Sequence, residues 1–258
     1  MYKMVVSDFC KTLINSDEAI SVSTMLEIDR IRKSDILFTI TTSKSCKVVR
    51  DYNRDFPFID YIVSFNGSYI YDVNKEMVLY DKPLALSTIK KLYKLLWRKN
   101  LGYYTLDSCN YTGKYKDKDY SEMLIDVNSF INENKKGIYK LSVYAESLKE
   151  AKVIVKKVCE LELKVSVYIV QEDDLFVVEI TNASNSKLDA IKKIAKVNKI
   201  KMKDVLAVCS AESSCSLIEN VGCGCSVANA DKSVKKAANE FTDSNENKGV
   251  EHIIKKYF

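Results

Sequence analysis

In MVVSDFCKTL, residues 4–13, an apolar run stops at an aspartate, a turn follows, and Thr12-Leu13 enters new structure. A carboxylate at the C-terminal end of a buried strand is where open α/β sheets gather their chemistry. The turn carries Cys10 and Lys11, the latter where a glycine would bend more easily. The fold depends on whether the rest of the chain supplies parallel neighbours for this strand.

It does so at both ends. Residues 4–7, 36–41 and 61–65 read as strands, and residues 23–32 and 46–55 as the helices between them. Such alternation predicts a mostly parallel sheet with right-handed crossovers. Residues 68–72 and 77–81 read as a hairpin. The pattern resumes with helices at 187–198, 214–220, 232–240 and 250–256, and strands at 204–209 and 222–227.

Between them the character changes. Ile89, Leu92, Tyr93 and Leu96 share a helix face, and residues 137–145 read as a strand. Residues 148–161 read as a helix, and 164–170 and 175–181 as strands around a turn at 171–174. This predicts an α+β module at 83–182, inserted into an α/β core of residues 1–82 and 183–258. A module hinged at two crossings near strand ends is expected to act as a lid.

Bulk composition narrows the class. The 258 residues are 47% apolar and 29% charged, a globular balance. No apolar run approaches the ~20 residues that span a bilayer, and the N-terminus does not resemble a signal peptide. A cytoplasmic protein without a membrane partner is expected. The net charge of +5 is mild. Lysine pairs such as Lys156-Lys157 and Lys192-Lys193 read as solvated helix faces, so no nucleic-acid partner is expected.

The strand ends converge Asp8, the run Thr41–Lys44, Asn66-Gly67 and residues 210–214 on one crevice, with Lys187 opening the helix before the fourth of these strands. A carboxylate nucleophile, hydroxyls at a helix N-terminus and a lysine suit an anionic phosphoryl group. These residues resemble the haloacid dehalogenase superfamily, in its Cof-type sugar-phosphatase-like branch. DFCKTL stands for the family's DxDGTL, and Thr42-Ser43-Lys44 for its TGR. SFNGSYIYD resembles the strand ending in NG. EITNASNSK places Lys187 at the third-motif lysine, and CSAESSCSL, residues 209–217, aligns with GDxxNDxxM. Asn229 falls on the NA landmark in GCGCSVANA.

The resemblance implies a Rossmann-like core with a mostly parallel sheet and an inserted α+β cap. It implies catalytic roles at Asp8, Cys10 and Lys187. It further implies binding of a small phosphorylated or anionic molecule by Lys11, Thr42, Ser43, Lys44, Asn66, Gly67 and Asn229. Magnesium is implied at Asp8, the carbonyl of residue 10 and Ser210. The departures point the other way. Cys10 replaces the acid–base aspartate, and Ser210 and Ser214 replace two further carboxylates, leaving a degenerate site for a cation that prefers anionic oxygen. A pseudoenzyme with weak or absent phosphatase activity that retains ligand binding is therefore expected. The alternatives are an active phosphatase on sugar phosphates, a metal-free Asp8 nucleophile, and a thiolate metal or redox site.

Three smaller expectations follow. Thr42 is expected to cap the helix after it. Lys11 has two placements open, as a fixed charge beside Asp8 or pointing to solvent. The eight cysteines, Cys10, Cys46, Cys109, Cys159, Cys209, Cys215, Cys223 and Cys225, include no CxxC pair. They read as reduced thiols that mainly fill space. His252, the single histidine, belongs to the last helix, away from the site loops.

Overall fold

The computed structural model describes residues 1–54, 57–115, 118–120, 137–172 and 174–258, with the side chains of residues 53, 110 and 112–120 left aside. Asp55, expected at a helix end, and Asp173, expected in a turn, lie outside the described residues. The chain forms two compact units, Met1–Asp81 with Asn185–Phe258, and Lys82–Ser184.

The first unit is built on an eight-stranded sheet. Its strands are β1 Met4–Asp8, β2 Leu37–Thr41, β3 Tyr61–Ser64, β4 Tyr69–Asp72, β5 Met77–Asp81, β12 Val205–Cys209, β13 Cys223–Val227 and β14 Glu240–Thr242. The order is β14-β13-β12-β1-β2-β3-β4-β5. All pairings are parallel except those of β4 and β5. Strands covered on both faces read as unbroken apolar runs. In keeping with this, Val5, Val6, Ile40, Ile62, Leu206 and Val208 are all fully buried. β1 sits between β2 and β12, so the chain order reverses beside it, and the crevice outside such a reversal opens at Asp8.

The helices of this unit are α1 Val22–Arg32, α2 Cys46–Asn53, α5 Lys187–Val197, α6 Cys215–Glu219, α7 Lys232–Ala237 and α8 Gly249–Tyr257, with α3 and α4 belonging to the second unit. One expectation is corrected at the sheet's edge. The helix expected over 232–240 stops at Ala237, and Glu240–Thr242 pairs as a strand. Asn239 is the cause. Its backbone N–H donates to Gly224 O, and its side chain accepts from Gly224 N at 3.0 Å, which draws the chain onto β13.

The second unit contains β6 Asn100–Tyr104, β7 Cys109–Tyr115, β8 Lys118–Tyr120, β9 Lys140–Ala145, β10 Val165–Glu172 and β11 Leu175–Asn182, in the order β10-β11-β9-β6-β7-β8, every pair antiparallel. The helices α3 Leu86–Leu96 and α4 Leu148–Cys159 pack against it through Leu92, Leu96, Ile154 and Val158, which meet Leu101, Leu141, Val143, Val178 and Ile180. Burying each such side chain contributes about 1.5–3 kcal/mol. β6 to β8 have no counterpart in the sequence reading, and the strand expected from residue 137 begins at Lys140. Alternate positions carry a buried ion pair, Lys140 Nζ to Glu179 Oε1 at 2.6 Å, with Lys140 also 4.2 Å from the centre of the Tyr104 ring. Near the two chain crossings, Asn182 Nδ2 donates to Pro83 O at 2.8 Å. No helix among the described residues is long and apolar enough to cross a membrane.

Candidate active site

Asp8 ends β1 directly beside Thr41, its register partner on β2. That register lets Thr41 Oγ1 donate to Asp8 Oδ1 at 2.6 Å. Lys187 arrives from the N-terminus of α5 and donates to the same oxygen at 2.7 Å. The helix start is fixed by a capping box, in which Ser186 Oγ accepts from Asp189 N and the Asp189 carboxylate accepts from Ser186 N. Ser214 Oγ lies 2.9 Å from Asp8 Oδ1 and 2.8 Å from Oδ2, and it accepts from Lys187 Nζ at 2.9 Å. The backbone N–H groups of Ser210 and Ala211 donate to Oδ2 at 3.2 and 3.3 Å.

Both carboxylate oxygens of Asp8 are therefore engaged, and the residue is 2% exposed. Burial alone would raise its pKa. The Lys187 ammonium, then the hydrogen bonds from Lys187, Thr41 and Ser214, outweigh burial and hold it below the ordinary aspartate value. The pair is formally neutral.

The loop after Asp8 turns sharply at Lys11, whose φ is 56°. This left-handed conformation is costly for a side chain other than glycine, asparagine or aspartate. Asn229 helps to hold it, with Nδ2 donating to Lys11 O at 2.8 Å while its Oδ1 accepts from Asn245 N. Asn229 is thus a brace between loops. The Lys11 side chain is exposed, and the cation beside Asp8 is Lys187. Ser210 Oγ accepts from Thr12 Oγ1 at 2.8 Å and donates to Cys10 O at 3.3 Å.

On the other side, Thr42 is buried but does not cap α2. The N-cap is Ser45, and Thr42 Oγ1 instead accepts from Lys44 N at 3.0 Å. Ser43 is half-buried, and Lys44 pairs with Glu18 at 3.7 Å. Asn66 N donates to Thr42 O, joining the two loops. Asn66 has φ 55° and is 4% exposed, and neither atom of its side-chain amide has a hydrogen-bond partner among the described residues. Gly67 has φ +114°, and a Cβ there would lie 2.4 Å from Ser186 O. Its carbonyl accepts from Asn185 Nδ2, which ties the strand end to the start of α5.

The sequence-predicted residues Asp8, Lys187 and Ser210 therefore meet, Cys10 through its carbonyl, and Thr42, Asn66 and Gly67 form a neighbouring loop pair. Sequence reasoning missed Thr12, Asn185 and the two N–H groups at residues 210–211. Thr12 carried a signal, lying inside the first motif. None of the eight cysteines is joined in a disulfide. Burial pushes Cys46 up to about 12, and raises Cys209 and Cys225 well above the ordinary thiol range. Among the described residues, no three His, Cys, Asp or Glu side chains are grouped as a metal site. His252 on α8 is paired with Asp243 at 2.7 Å.

The haloacid dehalogenase-like hydrolase family matches residues 5–254. A Haemophilus influenzae protein provisionally described as a phosphatase is 25% identical over 268 residues, covering 100% of this chain and 99% of its own. The 5-amino-6-(5-phospho-D-ribitylamino)uracil phosphatase YitU of Bacillus subtilis is 22% identical, covering 99% of this chain and 97% of its own. Among solved structures, a haloacid dehalogenase-like hydrolase from Bacteroides thetaiotaomicron superposes with a TM-score of 0.82 at 20% identity, covering 100% of both chains. A subclass IIB sugar phosphatase of the same superfamily gives a TM-score of 0.76 at 15% identity, covering 99% of this chain and 98% of its own.

Proposed function

Because the chain belongs to the haloacid dehalogenase-like hydrolases, we propose that it falls in their Cof-type phosphatase-like branch and binds a small phosphorylated or anionic molecule while its magnesium-dependent phosphatase activity is weak or absent. The observation that carries this reading is the engagement of both Asp8 oxygens by Lys187, Thr41, Ser214 and two backbone N–H groups. An attacking carboxylate needs an accessible lone pair, and each of these donors lowers its nucleophilicity.

The donor set does not suit magnesium. It comprises one carboxylate already matched by a lysine, one peptide carbonyl that accepts a hydroxyl, and that hydroxyl itself. A hard dication that prefers anionic oxygen gains little there. At position 10 a thiol replaces the carboxyl that would protonate a leaving group, and loss of a general acid costs about 10²–10⁴ in rate. Support for anion binding comes from the lysines. Lys11, Lys44 and Lys187 stand against Asp8 and Glu18 around the two loops, with Glu212 and Asp231 beside the third, at residues 210–214. The unpartnered amide of buried Asn66 adds two N–H donors.

The test uses two assays on the whole chain. Turnover of a sugar-phosphate panel with millimolar magnesium should stay far below that of a relative with all four carboxylates. Calorimetric titration with inorganic phosphate should give saturable binding that Asn66→Ala weakens. Robust magnesium-dependent turnover abolished by Asp8→Asn would overturn the reading.

A further inference from the structure

Among the described residues the two sheets present four edges, and three are blunted. β14 spans three residues. β8 also spans three, Lys118–Tyr120, two of them charged. β5 pairs with β4 through a register shift between Ile70 and Tyr71 and runs into Lys82-Pro83. Short length, charge, bulges and proline are the means by which edges avoid pairing with other chains.

β10 has none of these protections. It spans eight residues, VSVYIVQE, and pairs with β11 without interruption from Val165 opposite Asn182 to Glu172 opposite Leu175. From Val165 to Gln171 there is no charge, proline or glycine. Val165 to Val170 are all half-buried although the strand closes one side of its sheet. Lys164 O accepts from Ala183 N, so Lys164 and every second residue after it face β11, and Val165 N–H turns back to Leu163 O. The outward template lies at the strand's centre, on the backbone groups of Val167 and Ile169.

We propose that β10 is a self-association edge, along which two copies of this chain pair antiparallel and join their six-stranded sheets. The occupant is argued from the strand's own charge pattern. Lys164 precedes it and Glu172 ends it, both exposed. Antiparallel pairing about a two-fold axis at Tyr168 sets Lys164 of each copy directly opposite Glu172 of the other. The same register sets Val167 opposite Ile169 and Tyr168 opposite itself. Val167 and Ile169 already pack on the apolar cluster under the helices, so the apolar face continues across the junction. Cross-strand pairs of this kind are what stabilise sheets. A two-residue slip that sets Lys164 opposite Val170 loses both charge pairs, and the opposite slip pairs Lys164 with Asp174 only beyond the strand's end at Glu172, so charge and strand length together favour this register and a self-complementary partner.

Sedimentation equilibrium of the whole chain tests this. The wild type should form particles of twice the 29.4 kDa chain mass. Lys164→Glu, and separately Glu172→Lys, should each raise the dissociation constant by about tenfold or more, because like charges then face one another. The double swap Lys164→Glu with Glu172→Lys should restore the dimer. Unchanged far-ultraviolet circular dichroism and urea midpoints would show that the variants fold. A wild type that remains at the single-chain mass up to ~100 µM overturns the proposal. So does a dimer indifferent to both single swaps, or one that the double swap fails to restore.

Discussion

Lys187 Nζ lies 2.7 Å from Asp8 Oδ1 across 179 residues of chain, with both side chains 3% exposed. Removing one partner of such a pair strands the other's charge in a medium that cannot solvate it. Lys187→Met is therefore expected to cost about 3–5 kcal/mol of unfolding free energy. The double variant Asp8→Asn with Lys187→Met should recover a large part of that loss. Urea denaturation measures both. A Lys187→Met variant within about 1 kcal/mol of wild type would mean that Asp8 does not depend on its lysine.

Replacing Cys10, Ser210 and Ser214 together by aspartate sets three new carboxylates around one lysine. Without a counter-ion that variant should melt below the wild type, and millimolar magnesium should raise its midpoint. The wild-type midpoint should not respond. Turnover should rise in the triple variant and change little in each single one, since groups acting as a unit are not additive. Scanning calorimetry with and without magnesium checks the first part, and phosphate release the second.

Glu251 gives the clearest dependence on pH. Burial opposes its charge, but hydrogen bonds from Lys255, Ser23 and Thr24 outweigh that and hold its pKa at about 2, below the ordinary 4.5. A depressed carboxylate stabilises the folded state above its unfolded pKa, and that contribution is lost as pH falls through the folded value. Stability should thus decline between about 4.5 and about 2 as Glu251 takes up a proton. Glu251→Gln should flatten that limb and lower stability at neutral pH by about 1.5–3 kcal/mol. Acid titrations of the two proteins followed by near-ultraviolet circular dichroism make the comparison.

Gly67→Ala should be among the most damaging small substitutions. Its φ of +114° disfavours any side chain, and the new methyl would lie 2.4 Å from Ser186 O. Relief requires the start of α5 to move, and Lys187 with it. A loss of about 2 kcal/mol or more is expected, accompanied by weaker phosphate binding. If the variant unfolds at the wild-type midpoint and binds phosphate unchanged, the close approach is not a constraint.

The parallel half of the fold is legible because burial on both faces writes itself as apolar runs, as in Val5-Val6 and Val205–Cys209. β6 is not legible in that way. Gly102 interrupts it, and Tyr103 and Tyr104 point to opposite faces with similar hydrophobicity, so no alternation shows. At the site, Asp8 and Lys187 are legible as motif positions. The network that saturates Asp8 is not, because Thr41 and Ser214 reach it through strand register and a loop path, neither of which local spacing encodes. Thr42 shows the same limit. Its type suits a helix cap, and Ser45 takes that role because α2 starts three residues later than Thr42 would require.

The clasp between Asn182 and Pro83 has a consequence for how such a chain can change over time. The second unit enters and leaves at positions already tied by one side-chain hydrogen bond. A segment with closed ends asks its host for little additional loop entropy when it is removed or exchanged. Recombination can then replace the whole inserted unit as a cassette while the Asp8–Lys187 pair, encoded on either side of it, is inherited untouched.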